Sequence, residues 1–148
     1  MPAAIKMAEG STPQAGTDKD WSRKIRVLVS DDDMRIRQAL AGMLASEGDI
    51  EVVGEAANGL EALELCRTLH PDAVVMDLSM PVMSGVDATR RIVAEFPETR
   101  VIAHSMFDDP HHAAEMREAG ALAFLSKTGP PEELLAAIRN RAMPARQG

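Results

Sequence analysis

Tyrosine is absent from this chain, tryptophan occurs once and phenylalanine three times. An aromatic interior is therefore excluded, and the core has to be built from Val, Ile, Leu, Ala and the ten methionines. Cysteine is as scarce. Cys66 stands alone, so no internal disulfide can form, and a reducing cytoplasmic home is expected. It falls in an amphipathic helical stretch, where a small buried thiol is expected rather than a nucleophile. No apolar run approaches the length of a membrane span. The start, MPAAIKMAEGSTPQAGTDKD, has no continuous apolar segment of the secretory kind. An excess of positive charge is missing too: the formal net charge is −7, which argues against broad nucleic-acid binding through clustered Lys and Arg.

What is present fits one ordinary globular domain: 148 residues, 45% hydrophobic and 26% charged. Residues 1–22, rich in Ala, Gly, Ser, Thr, Pro and Asp and without period, read as a flexible arm. A domain is expected over residues 23–142, with 143–148 as a short tail. Short apolar runs at Ile25–Val29, Ile50–Ala56, Ala73–Met76, Val101–Ala103 and Ala121–Leu125 predict five strands. Between and after them the apolar spacing is helical: Ile36, Leu40, Met43 and Leu44; Leu60, Leu63 and Leu65; Val86, Ile92 and Val93; Leu134, Leu135 and Ile138. Asn58-Gly59, Pro81 with Ser84-Gly85, Pro97, Asp109-Pro110 and Pro130-Pro131 punctuate the junctions. Alternating strands and helices imply parallel pairing, right-handed crossovers and helices on both faces. The expected fold is α/β, an open doubly wound (βα)5 sandwich with its crevice outside the carboxyl ends of the strands. The unbroken apolar character of the third and fifth strands suggests cover on both sides.

The chemistry gathers at those strand ends. The first strand runs into Ser30-Asp31-Asp32-Asp33, the third into Asp77, the fourth into His104-Ser105 and the fifth into Ser126-Lys127. In a parallel sheet all emerge on one edge, so three carboxylates, a hydroxyl and an ammonium would share one crevice. Alone, each has a bland explanation: an aspartate after a strand is usually a turn or helix cap, and a lone Ser or Lys is usually solvated. Four strand ends carrying complementary groups by chance is a far weaker account. Hard oxygen ligands grouped this way suit Mg²⁺, held by Asp31, Asp32 and Asp77. Given a metal, Asp77 is the candidate nucleophile, able to form an acyl phosphate. Lys127 offers a cation to the carboxylate and the incoming phosphate, and Ser105 a hydroxyl to a phosphate oxygen. Asp33 reads as a cap only. His104 reads as packed or solvent-facing, His111-His112 as helix surface, and Asp108-Asp109 as the start of the fourth helix.

At these residues, over about Lys24 to Asn140, the chain resembles the receiver (phosphoacceptor) domain of bacterial two-component response regulators. The matching pieces are VLVSDDDMRIRQAL, DAVVMDLSMPVMSGVDATRRI, VIAHSMFDD and GALAFLSKTGPPEEL. Together they look most like the NarL/FixJ subclass. The resemblance implies a CheY-like, flavodoxin-like sandwich with sheet order 2-1-3-4-5. It further implies phosphorylation on Asp77, an acidic pair at Asp31 and Asp32, and the backbone carbonyl of Ser79 as a further Mg²⁺ ligand. Ser105 and Lys127 would fill the family's hydroxyl and lysine positions, and Phe124 its switch aromatic. One departure is His104-Ser105, where the family more often has an aliphatic residue and Thr; serine lacks the methyl that restricts its rotamer.

The expected function is two-component phosphorelay signalling. A sensor histidine kinase or phosphotransfer protein would supply the phosphoryl group in a Mg²⁺-dependent step. The face around Pro110–Ala142 would then change its affinity for a downstream protein. Regulators of this subclass carry a C-terminal helix-turn-helix domain. Arg139, Arg141 and Arg146 make the last stretch basic, but ten residues are no DNA reader, so no direct DNA binding is expected, no membrane partner either, and a homodimer remains among the assemblies the sequence allows. The alternatives are the receiver part or remnant of a transcriptional regulator, and a phosphate sink or relay intermediate. A turnover enzyme is not expected: metal-dependent phosphatases of related architecture carry a second acid two residues after the nucleophile, where this chain has Ser79.

Overall fold

The computed structural model describes residues 23–106 and 110–140. The expected arm over 1–22, the Asp108-Asp109 helix start and the basic Arg141 and Arg146 lie outside the described residues. Five strands alternate with five helices: β1 (Ile25–Ser30), α1 (Met34–Ala45), β2 (Ile50–Ala56), α2 (Gly59–Leu69), β3 (Ala73–Met76), α3 (Gly85–Glu95), β4 (Arg100–Ser105), α4 (Pro110–Ala119), β5 (Ala123–Ser126) and α5 (Pro131–Arg139). All four pairings are parallel and the sheet order is β2-β1-β3-β4-β5. This is the doubly wound, CheY-like flavodoxin-like sandwich the sequence predicts.

The alternation of strand side chains builds two cores. Leu28, Val74 and Met76 point with Leu63, Cys66, Ile92 and Met116 into the layer under α2, α3 and α4. Val27, Val29 and Val75 meet Leu40, Leu44, Leu134 and Ile138 under α1 and α5. A strand covered on both faces has no need of polar alternation, and β3 is buried at all four positions. Cys66 lies fully buried, with burial pushing its thiol pKa up to about 12, so it acts as a small hydrophobe.

Helix starts follow from side-chain caps. The Asp33 carboxylate accepts from the Arg35 and Ile36 amides, Asn58 from Glu61 and Ser84 from Asp87. Each cap lies in the connection that follows a strand's carboxyl end, so the helices begin at the edge where the polar residues gather.

Two details differ from the sequence reading. The fifth strand begins at Ala123 rather than Ala121, because α4 ends in a left-handed Gly120 (φ 117°) whose successor, Ala121, donates its N–H to the Met116 carbonyl at 2.9 Å. Residues 120–121 close the helix before the chain can extend. The same strand is half-buried at all four positions, not covered on both sides: it is the sheet's edge, with one neighbour only.

Candidate functional site: an acidic crevice at the strand ends

Three hydrogen bonds carry the sheet one residue past its strands. The Asp31 N–H donates to the Ala56 carbonyl (3.0 Å), that of Asp77 to Ser30 (2.9 Å) and that of Lys127 to Ser105 (2.9 Å). The backbones of Asp31, Asp77 and Lys127 are thus clipped to neighbouring strands, and their side chains converge from fixed origins. The Lys127 ammonium lies 2.6 Å from Asp31 Oδ2 and 3.2 Å from Asp77 Oδ1, and all three side chains are less than a tenth exposed. Asp32, from the same turn as Asp31, is exposed but places a carboxylate oxygen within 4.8 Å of the other two carboxylates.

The surroundings hold this arrangement. The second Asp31 oxygen accepts from the Asp33 amide (2.9 Å), and the Asp31 carbonyl accepts from Arg37 Nη1 (2.8 Å). Arg37 is itself fixed by Glu55 at 3.1 Å. On the far side, the Ser126 and Thr128 hydroxyls share a hydrogen bond (2.8 Å) and the Gly129 amide donates to the Ser126 carbonyl, folding the turn that presents Lys127.

Crowded charge shows in the titration of the site. Burial, then the Asp31 charge, pushes the Asp77 pKa up to about 6 against the pull of Lys127. Burial disfavours the Lys127 ammonium, but Asp31 and Asp77 outweigh it and hold its pKa above the ordinary lysine value. His104, buried on β4, is pushed down to about 4 by burial and by the charge of Lys127, and so is neutral at physiological pH.

Ser105 ends β4 with no exposed surface, and Phe124 pairs with Ala103 in the β4–β5 register while packing half-buried on the larger core. Ser79 is exposed in the loop after β3, and no hydrogen bond takes its carbonyl among the described residues. His111 is exposed and His112 half-buried on α4. The structure therefore brings Asp31, Asp32, Asp77 and Lys127 together. It places Ser105 and Phe124 on the adjoining strands and Ser79 two residues from Asp77.

The donor set passes a simple test for a divalent cation of the Mg²⁺ kind. Three carboxylate oxygens lie within 4.8 Å of one another, one of them on a solvent-facing residue that leaves room for water ligands. Lys127 supplies only part of the neutralising charge.

The family pattern of the response regulator receiver domain matches residues 27–139. The chain belongs to this family. The receiver is 42% identical over 115 residues to the transcriptional regulatory protein LiaR of Bacillus subtilis, covering 78% of this chain and 54% of that protein. It is 41% identical over 111 residues to the uncharacterized transcriptional regulatory protein YhcZ of the same organism, covering 75% and 52%. It thus spans about half the length of the curated relatives it matches. Among solved structures, the signal receiver domain of the putative response regulator NarL from Mycobacterium tuberculosis superposes with a TM-score of 0.74 at 31% identity, over 80% of this chain and 98% of that one. The response regulator domain of Thermotoga maritima CheB gives 0.75 at 34%, over 82% and 99%. No helix among the described residues is long and apolar enough to cross a membrane.

Sequence reading alone missed two parts of the receiver's site. Arg37 reads as one more charged position on α1, and nothing local announces its bond to the Asp31 carbonyl. His104 reads as packed or solvent-facing, and only the completed sheet and Lys127 show it to be a buried neutral imidazole.

Proposed function

We propose that this receiver accepts a phosphoryl group on Asp77 in a Mg²⁺-dependent step of a two-component phosphorelay. The observation that carries the reading is the placement of Asp77: recessed, 3.2 Å from the Lys127 ammonium and within 4.8 Å of two further carboxylates. At neutral pH a pKa of about 6 leaves Asp77 mostly ionised and nucleophilic. Asp31, Asp32, Asp77 and the Ser79 carbonyl would hold Mg²⁺, which would supply positive charge against the phosphoryl oxygens. An Asp77 carboxylate oxygen forms a P–O bond as the P–N bond of a phosphohistidine breaks; the imidazole keeps the bonding pair and takes up a proton from solvent. Lys127 follows the charge as it spreads from carboxylate to phosphate, and the Ser105 hydroxyl donates to a phosphoryl oxygen.

The donor is a sensor histidine kinase or phosphotransfer protein, and the acyl phosphate is a signal rather than a turnover intermediate. Product sensing by Ser105 and Lys127 draws Phe124 and the α4–β5–α5 face into a second arrangement, shifting affinity for a downstream protein by the difference in phosphate contacts between the two states. The setting is cytoplasmic. A second reading, the receiver unit of a transcriptional regulator, is favoured by the names of the relatives and the half of their length that the chain spans; in it the face acts on a DNA-binding unit.

Intact-mass measurement after incubation with phosphoramidate tests the reading. It predicts one added phosphoryl group that requires Mg²⁺ and is missing from Asp77→Asn. Stoichiometric labelling of that variant would overturn it.

A further inference from the structure

The three carboxylates of the crevice are not held alike. Asp31 is fixed by its N–H on the Ala56 carbonyl, by Lys127 on one carboxylate oxygen and by the Asp33 amide on the other. Asp77 is fixed by its N–H on the Ser30 carbonyl and by Lys127 on its carboxylate. Asp32 is exposed, and neither its amide nor its side chain makes a hydrogen bond or an ion pair among the described residues. Its carboxylate nevertheless lies within 4.8 Å of the other two. What places it is the peptide that joins it to Asp31.

That peptide is gripped by one side chain. Arg37 Nη1 donates to the Asp31 carbonyl at 2.8 Å, while its Nε donates to Glu55 Oε1 at 3.1 Å. The peptide unit is planar, so fixing the Asp31 oxygen also fixes the Asp32 amide and the direction in which the chain enters Asp32. The grip is anchored at both ends. Glu55 belongs to β2, and the Arg37 backbone is tied to the start of α1, where its N–H donates to the Asp33 carbonyl at 2.9 Å. A planar guanidinium fork can serve two acceptors at once, whereas a lysine offers one ammonium.

We propose that Arg37 is a positioning residue for the cation site: by holding the Asp31–Asp32 peptide it sets where the Asp32 carboxylate stands, and so sets the affinity for Mg²⁺. The inference rests on the reading of Asp31, Asp32 and Asp77 as the Mg²⁺ site. Groups that orient a metal's ligands without touching the metal commonly change its affinity as much as a ligand does. The charge of Arg37 acts in the opposite sense. A guanidinium beside the crevice repels a divalent cation, and Glu55 offsets that repulsion only in part. If charge alone mattered, removing Arg37 would tighten Mg²⁺ binding. If the grip on the peptide matters, removing it weakens binding.

The test is a Mg²⁺ titration of the full chain without any phosphodonor, followed by calorimetry and by the amide resonances of Asp31, Asp32 and Asp77. Arg37→Gln removes the charge and the fork; Arg37→Lys keeps the charge and removes only the fork. The Kd for Mg²⁺ is expected to rise about tenfold in Arg37→Gln and about threefold or more in Arg37→Lys. Phosphoramidate labelling supplies a second readout. The Mg²⁺ concentration for half-maximal rate rises by the same factor, while the rate at saturating Mg²⁺ stays within about twofold of wild type. A bond that only supports the fold would lower Tm and leave the Kd of the folded variants unchanged, which overturns the proposal. Tighter binding in Arg37→Gln with wild-type binding in Arg37→Lys also overturns it, since charge is then the whole effect. Should Arg37→Gln not fold, Arg37→Lys decides alone: weaker Mg²⁺ binding supports the grip, and wild-type binding refutes it. A wild type that binds no Mg²⁺ overturns the reading of the acidic site itself, and this inference with it.

Discussion

The Cβ that Gly85 lacks would fall 1.8 Å from the carbonyl oxygen of Asp77. The first turn of α3 is pressed onto the backbone of the proposed phosphoacceptor, and the Gly85 N–H donates to the Leu78 carbonyl at 2.9 Å. Only a residue without a side chain allows this approach. Gly85→Ala is therefore expected to cost about 3 kcal/mol of stability and to slow phosphoramidate labelling, because the backbone of Asp77 has to move. Urea denaturation and intact mass read the two effects. A wild-type midpoint with wild-type labelling would contradict the contact.

Asp77 and His104 make opposite contributions to stability across one pH window. Asp77 has a folded pKa of about 6 against an ordinary 3.8, so the native state takes up its proton first and this group favours folding more as pH falls from 6 to 3.8. His104, near 4 when folded against an ordinary 6.5, does the reverse: its contribution is full above 6.5 and is lost as pH falls through 4. In the wild type the two trends oppose each other. Asp77→Asn is expected to be more stable than wild type near neutral pH by on the order of 1 kcal/mol, roughly 4 °C in Tm, and to lose that advantage between about pH 6 and pH 4. Thermal melts across this range provide the check; parallel curves for the two proteins would refute the opposed pair.

Lys127 is the cation that two buried carboxylates share. Lys127→Met leaves Asp31 and Asp77 facing each other without it, which is expected to cost about 3 kcal/mol at neutral pH and to raise the Asp77 pKa further above about 6. Carboxyl-carbon NMR titration and urea unfolding measure the two changes. An unmoved Asp77 titration would mean that the ammonium does not neutralise the site.

Thr89 on α3 is fully buried, and its hydroxyl has no hydrogen-bond partner among the described residues. An unsatisfied buried hydroxyl is destabilising. Thr89→Val keeps the branched shape without the polar atom and is expected to stabilise the receiver by about 1 kcal/mol. A lower Tm for this variant would show that the hydroxyl has a partner in solution.

Much of the site was legible in the sequence because each apolar run ends on a group a buried strand end does not tolerate without a partner. The sequence pattern assigns Asp31, Asp77 and Lys127 to one edge and Asp33 to a cap, since the rules for strands and helix starts are local. What escaped was set by contacts distant in sequence or by backbone angle. Arg37 stands only six residues from Asp31, but its guanidinium is held by Glu55 on β2, eighteen residues away, and the burial of His104 depends on the completed sheet. The apolar run starts β5 at Ala121, two residues before the strand itself, because Gly120-Ala121 closes α4 first. The left-handed turn at Val82 has no sequence signal at all, since valine is a residue that position disfavours.

The most direct test is to find where the phosphoryl group resides. After Mg²⁺-dependent labelling, borohydride reduction converts an aspartyl phosphate to homoserine, and peptide sequencing by mass spectrometry locates it. The account predicts homoserine at position 77 alone, with none in a sample treated without Mg²⁺. Homoserine at Asp31 or Asp32, or phosphate recovered on Ser105 or a histidine with position 77 unmodified, would contradict it.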